Sequence, residues 1–434
     1  MRLAIDGDWI EDKIPAVVYV ALIAYLLGSS VYVRMSMATR LAYALCAAIA
    51  LLVPMGLLLA GRRVTRRMAR FVAAIVGVSG LFLVPAIVFP EGRTFQHVAI
   101  DLCTTLMPVG FFLTALLAPS SLRRILDPRW VVLFCVISLY PPLIVQDATG
   151  ARWFEPPSLG VIALVATLAI HGGTWARPTA GVGSALLVVL ATLSGSRSIA
   201  LLALLAFVII VCVNRTAQGI AGLVLVSALA MSVLGLDFGE RRPPRGSWLQ
   251  PAFRMARLMS LTTRDPSATR RLEEAEVVFA DMQKRSAAWG FVGMGHGAVF
   301  EPEAWGRPGN ISEEGFVHNI HVGPVMMTFR YGLLGIAVYL MLAITATVAA
   351  CRWFLKRRSG EVAVDLSFLY AFGVALFMIE FMVRNVLPNP VFSFFVAGFL
   401  ALALDRRSIV EPRTSSPTAP DRAVRGGQPH LPAP

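Results

Sequence analysis

Hydrophobic and polar positions in this chain alternate in long blocks rather than with a short period. Apolar runs of about 17–25 residues, enough for a helix to cross a bilayer, recur along the chain. Short stretches rich in arginine separate them. The pattern predicts helical spans near residues 14–33, 41–60, 71–90, 98–118, 130–146, 158–171, 178–194, 197–213, 218–236, 332–352, 365–384 and 388–404. In lipid every backbone polar group must be satisfied within the segment, so such runs read as helices. The expected fold class is all-α: a polytopic integral membrane protein with about 12 transmembrane helices.

The block pattern breaks twice. Residues 237–321 form one long polar loop, a length that is usually functional or disordered. After the last span, 411–434 is rich in Pro, Ser, Thr and Arg and is expected to be a disordered tail. The expected organisation is one membrane domain, 1–410, that includes the long loop, followed by that tail.

Charge gives the orientation. Lysine and arginine concentrate in cytoplasmic short loops. Arg62, Arg63, Arg66, Arg67 and Arg70 crowd one loop, Arg123, Arg124 and Arg129 another, and Arg352, Lys356, Arg357 and Arg358 a third. If the chain alternates, all three share a side. Both termini are then cytoplasmic and the long loop lies outside. The net charge of +13 is largely explained by this bias, so no nucleic-acid partner is expected. The five cysteines are scattered through the spans with no metal-ligand spacing and read as small core residues.

Candidate chemistry clusters at the outer side. Ser194-Gly195-Ser196-Arg197 stands at the outer mouth of a span. There the positive-inside bias gives arginine no reason to be, and small neighbours let a ligand come close. In the loop, Asp265-Pro266 opens a helix expected to run to about Arg285, since Asp caps free N–H groups and Pro suits the first position. Leu272, Ala275, Phe279 and Met282 recur at helical spacing as its apolar face. Arg271 falls on the edge of that face and Arg270 nearly opposite. Both as solvated surface charges is the competing reading.

Gly290-Phe-Val-Gly293-Met-Gly295-His-Gly297 follows, which permits tight turns and close backbone approach to a ligand, with a flexible turn as the default reading. Then come His318-Asn319 and His321, ahead of Gly332-Leu-Leu-Gly335. Imidazole can serve as a general base near neutral pH or bind an anion when protonated. A third metal ligand is missing from this pattern. Glu380 and Arg384 sit four apart in the eleventh span and are expected to pair, with a secondary role in lining a polar cavity left open. Asp101 lies near the outer end of the fourth span, where it can reach the interface.

The order Ser196-Arg197, long loop, Arg271-Leu272, Gly293-Met-Gly295, His318-Asn319 and Gly332-Leu-Leu-Gly335 resembles the bacterial O-antigen ligase and O-antigen polymerase superfamily. The resemblance covers roughly residues 178–350. It implies a metal-independent membrane glycosyltransferase without a cofactor, in the inner membrane, with its active site on the periplasmic face. The implied donor is a polyprenyl-diphosphate-linked glycan, and the implied acceptor a glycan or a lipid-anchored molecule.

By the same resemblance Arg197 and Arg271, with Arg270 and Ser196 beside them, hold the diphosphate, and His318 or His321 assists acceptor attack. This chain departs from the family pattern at two points. Glu273-Glu274-Ala275 stands where the family carries a tryptophan. His321 has the family's usual spacing to the Gly-Leu-Leu-Gly, but the following Asn belongs to His318. A transporter or flippase for an anionic, lipid-linked substrate is the alternative, using the same arginines for binding.

Overall fold

A computed structural model describes residues 7–30, 37–88, 90, 92–124, 158–172, 176–193, 197–214, 266–285, 289–301, 316–355 and 366–404. Among them the secondary structure is helical throughout, with no strand and one isolated bridge between Phe300 and Val317. The helices are α1 (Gly7–Ser30), α2 (Met37–Leu59), α3 (Arg66–Leu81), α4 (Val84–Val88), α5 (Phe95–Leu117), α6 (Ser120–Arg124) and α7 (Leu159–His171). They continue as α8 (Ala176–Leu193), α9 (Arg197–Asn214), α10 (Pro266–Arg285), α11 (Trp289–Val292), α12 (Gly323–Leu355), α13 (Leu366–Phe381) and α14 (Pro390–Leu404).

Local chemistry explains several boundaries. Thr65 and Thr94 cap α3 and α5, their hydroxyls accepting the N–H groups of Met68 and His97. Asn389 accepts the Val391 N–H at 2.9 Å, and Pro390 takes the first position of α14, where its missing donor costs nothing.

At the centre lie α7, α13 and α14, buried almost all round. A helix that is apolar on every side must be wrapped by other helices or by lipid. Close approach comes from small residues, as membrane helices favour. Gly110 of α5 lies against the Ala50 carbonyl of α2. Gly373 and Gly398 receive the rings of Phe395 and Tyr370. Around this centre, α12 packs on α13, α5 on α2 and α14, and α8 and α9 on α7.

The peripheral helices turn apolar residues outward. Leu52 and Leu59 on α2, Leu81 and Ile87 on α3 and α4, and Met341 and Ile344 on α12 are all exposed. An outward apolar belt of this size is what a lipid-facing surface requires. Four segments, Arg40–Leu59, Arg66–Val88, Phe95–Leu117 and Gly323–Trp353, are long and apolar enough to cross a membrane. Six shorter apolar helices accompany them.

Ten of the expected spans therefore coincide with helical segments. The other two, 130–146 and 218–236, lie outside the described residues, as do the tail 411–434 and residues 237–265 of the long loop. Two elements differ in shape from the expectation. The third span is divided by a turn at Phe82 and Leu83. The tenth begins at Gly323, nine residues early, and is broken at Gly332 (φ +58°).

Candidate functional site

The break in α12 and the glycine run of the loop form one joint. Gly293, Gly295 and Gly297 all have positive φ, between 71° and 79°. A Cβ at Gly293 would meet the Arg330 carbonyl and the Gly332 nitrogen, one at Gly295 the Phe82 carbonyl, and one at Gly297 the backbone of Val98. The turn thus lies backbone to backbone against three elements. Interrupting a helix frees carbonyls in the turn before the break. Here Phe329 and Arg330 accept the N–H groups of Met294 and Gly295 at 2.7 and 2.8 Å, and the His296 N–H reaches Phe82. Arg93 completes the joint by donating to the carbonyls of Met294 (2.7 Å) and His296 (3.1 Å). Burial and the nearby Arg285 charge pull its pKa down to about 10, so it stays positive at neutral pH.

Beneath the joint is a buried polar cluster. Arg330 of α12 donates to Asp101 Oδ1 of α5 at 2.6 Å, and Asp101 Oδ2 accepts the Gly297 N–H at 2.7 Å. The second Arg330 amino group donates to the His318 carbonyl at 2.7 Å and to His318 Nε2 at 3.0 Å. A guanidinium can only donate, so His318 Nε2 is the acceptor and the ring proton is on Nδ1. Asp101 Oδ1 is also near this nitrogen, at 3.4 Å. The shorter Arg330 contact decides the tautomer. His97 stacks on the His318 ring with centroids 4.3 Å apart. Burial first, then Arg330, pushes the His318 pKa down to about 4. His296 is buried between Ser79 and Tyr331, with Nε2 3.1 Å from the Ser79 carbonyl and Nδ1 3.3 Å from the Tyr331 hydroxyl. Burial lowers its pKa as well. Both histidines are neutral constituents of the cluster.

Above the cluster is an open rim. His321 stands two residues before α12, its side chain about 50% exposed. Its Nδ1 is 2.9 Å from Glu274 Oε1, and its backbone N–H reaches Oε1 and Oε2 at 3.2 and 3.1 Å. Glu274 belongs to α10 and is buried.

Helix α10 has the predicted ends, Pro266 to Arg285, and part of the predicted inner face: Met282 is buried and Ala275 half-buried against the core. Leu272 and Phe279 are exposed, while Glu274, Val278, Asp281 and Met282 are buried. The buried face is mixed because its carboxylates have partners: Glu274 pairs with His321, and Asp281 lies 3.1 Å from Arg285. Arg271, one turn before Glu274 on the same face, is half-buried.

The C-terminal end of α13 adjoins this rim. Gly323 packs directly on the ring and carbonyl of Phe381. Glu380, buried, lies 3.6 Å from exposed Arg384, and Arg271 is within electrostatic reach of the same carboxylate.

The expected site residues therefore separate. His321, Arg271, Glu380 and Arg384 are brought to one rim. His318 lies below it, engaged with Arg330 and His97. Arg197 is the first residue of α9; its side chain, that of Arg270, and all of Ser196 lie outside the described residues. Sequence reasoning missed Glu274, Arg330, Arg93, His97 and His296. Asp101, which the sequence left free to reach the interface, is buried against Arg330. Its charge within a span was the available signal, because such a group needs a partner. Glu274 had a signal too, three residues from Arg271 and hence on its face.

The inner cluster is closed, and its polar groups are mostly spent on one another. The rim presents a tethered imidazole and two arginines, backed by the buried carboxylates of Glu274 and Glu380. That set can bind an anion and move a proton. Among the described residues no three His, Cys, Asp or Glu side chains group closely enough to hold a metal. The sequence matches no protein-family model and no curated protein.

Proposed function

We propose that this chain is a polytopic membrane glycosyltransferase of the O-antigen ligase or polymerase type. It acts in the bacterial inner membrane, with both termini cytoplasmic and its site on the periplasmic face. The donor is a polyprenyl-diphosphate-linked glycan; the acceptor is a saccharide or a lipid-anchored molecule. The observation that carries this reading is the rim: a half-exposed His321 held by a buried carboxylate, with Arg271 and Arg384 beside it at one end of an apolar helix assembly.

The chemistry follows from the groups. A departing diphosphate gathers negative charge, and arginine binds phosphate oxygens in a planar, two-pronged fashion. Arg271, with Arg197 at the mouth of α9 and Arg270 and Ser196 nearby in sequence, stabilises that charge without a metal. Of the two candidate histidines, His321 is the better base. His318 Nε2 already accepts from Arg330. His321 Nδ1 is bound to Glu274, which leaves Nε2 for the acceptor hydroxyl. Glu380 orders Arg384 at the edge of the site.

Two observations favour the alternative, a transporter or flippase for an anionic lipid-linked glycan. Transporters use broken helices and paired intramembrane charges, and the Gly332 break and the Asp101–Arg330 pair are such features. Carrier-linked intermediates in a deletion strain separate the readings. Single repeat units accumulating on the periplasmic face indicate a polymerase, and long chains on the carrier a ligase. Substrate trapped on the cytoplasmic face indicates a flippase and removes the transferase reading.

A further inference from the structure

We propose that Glu274 is a positioning residue that sets the tautomer of His321 and holds its ring, so that loop helix α10 completes the base. This rests on the transferase reading above.

The geometry is specific. The His321 backbone N–H can only donate, so the Glu274 oxygens that it reaches serve as acceptors. Oε1 then also takes the ring's Nδ1–H, at 2.9 Å. The lone pair is left on Nε2, which among the described residues has no hydrogen-bond partner. A histidine whose second nitrogen is held by a carboxylate has both its tautomer and its ring plane fixed. Glu274 is about 1% exposed while His321 is half-exposed, so the carboxylate lies behind the ring and the free nitrogen faces outward.

The acceptor oxygen bonds to the anomeric carbon while that carbon's bond to the diphosphate oxygen breaks, its electron pair leaving with the diphosphate. The acceptor's proton passes to His321 Nε2. The resulting imidazolium sits against the Glu274 carboxylate. The placement also ties two tasks to one helix, since Arg271 is a turn before Glu274. A loop helix that is not docked leaves the base without its partner, which restrains attack by water.

The test uses full-length protein in lipid nanodiscs with nitrogen-15 labelled histidine. Comparison with His321→Ala assigns the His321 signal. In its neutral form His321 should carry its proton on Nδ1, and Glu274→Gln, whose amide can donate to Nδ1, should move it toward Nε2. With polyprenyl-diphosphate-linked glycan and acceptor, Glu274→Gln should lower kcat by roughly 10²-fold, within the range of a lost base. The acceptor KM should change little, and Glu274→Asp should recover part of the rate.

An Nε2–H tautomer in the unaltered protein, or one unmoved by Glu274→Gln, overturns the proposal whatever the reaction. A tautomer that moves while the rate does not overturns the positioning role. If no donor is consumed by the unaltered protein, the transferase reading fails, and the tautomer result alone decides what Glu274 does to His321.

Discussion

His318 and His321 stand three residues apart and are put to opposite uses. His318 is a buried acceptor for Arg330 and is stacked on His97. Its replacement by alanine strands a guanidinium donor, which costs about 1–3 kcal/mol. The expected outcome is a lower melting temperature of the nanodisc protein, with transfer per folded molecule retained. The His318 pKa of about 4 also predicts a pH dependence. An unfolded chain takes up this proton below about 6.5, whereas the folded protein resists until about 4. Stability should therefore be full above about 6.5 and fall as pH drops toward 4, by at most ~1.4 kcal/mol per pH unit for each such group. The depressed pKa of buried His296 adds in the same direction. Thermal melts from pH 8 to 4.5 check this, and a flat profile would contradict the buried neutral cluster. Arg271 belongs to the rim, so Arg271→Ala should abolish transfer, and Arg271→Lys, which lacks the planar fork, should recover little. Donor-binding measurements on the same variants should show the loss at that stage. Asp101 shows what residue-by-residue reading could not give. Its charge was visible, but its partner lies 229 positions away, and only the packing of α5 on the glycine turn and α12 brings them together.

The ends of helix α10 were legible because proline at the first helical position is a local signal. Its inner face was legible only at Ala275 and Met282, because the apolar count at helical spacing also favoured Leu272 and Phe279, which are exposed. The buried face is instead built around Glu274 and Asp281, whose partners are His321, 47 residues away, and Arg285. The glycine run was read as a flexible turn or as a close approach to a ligand; instead each of Gly293, Gly295 and Gly297 lies against the chain's own backbone. What it approaches, the Gly332 break, cannot be read from periodicity, since a broken helix keeps its apolar pattern through the interruption. The joint gives a controlled prediction. Gly293→Ala and Gly332→Ala place a Cβ against backbone at positive φ and should lower the melting temperature sharply. Gly290→Ala, where nothing lies within 4 Å, should change it little. Equal effects at all three positions would remove the joint from the account of α12.

For the whole molecule, the membrane class was legible because apolar runs of span length leave few alternatives. The arrangement around α7, α13 and α14 was not, since helices of similar apolarity do not announce which is central. The orientation rests on arginine-rich short loops, and an exposed position on α10 tests it. Gln283→Cys in a background without the native cysteines should react with an impermeant thiol reagent in intact spheroplasts; labelling only after lysis would reverse the orientation. The central claim is that the rim transfers a glycan from a polyprenyl-diphosphate donor with His321 as base. Its most direct test is the rate of product formation by purified protein in nanodiscs supplied with carrier-linked glycan and acceptor, with EDTA present throughout. The account predicts release of free polyprenyl diphosphate and a glycosylated acceptor, with a rate about 10²–10⁴-fold lower in His321→Ala and donor binding intact. Transfer at full rate by well-folded His321→Ala, or transfer that requires an added divalent ion, would contradict it.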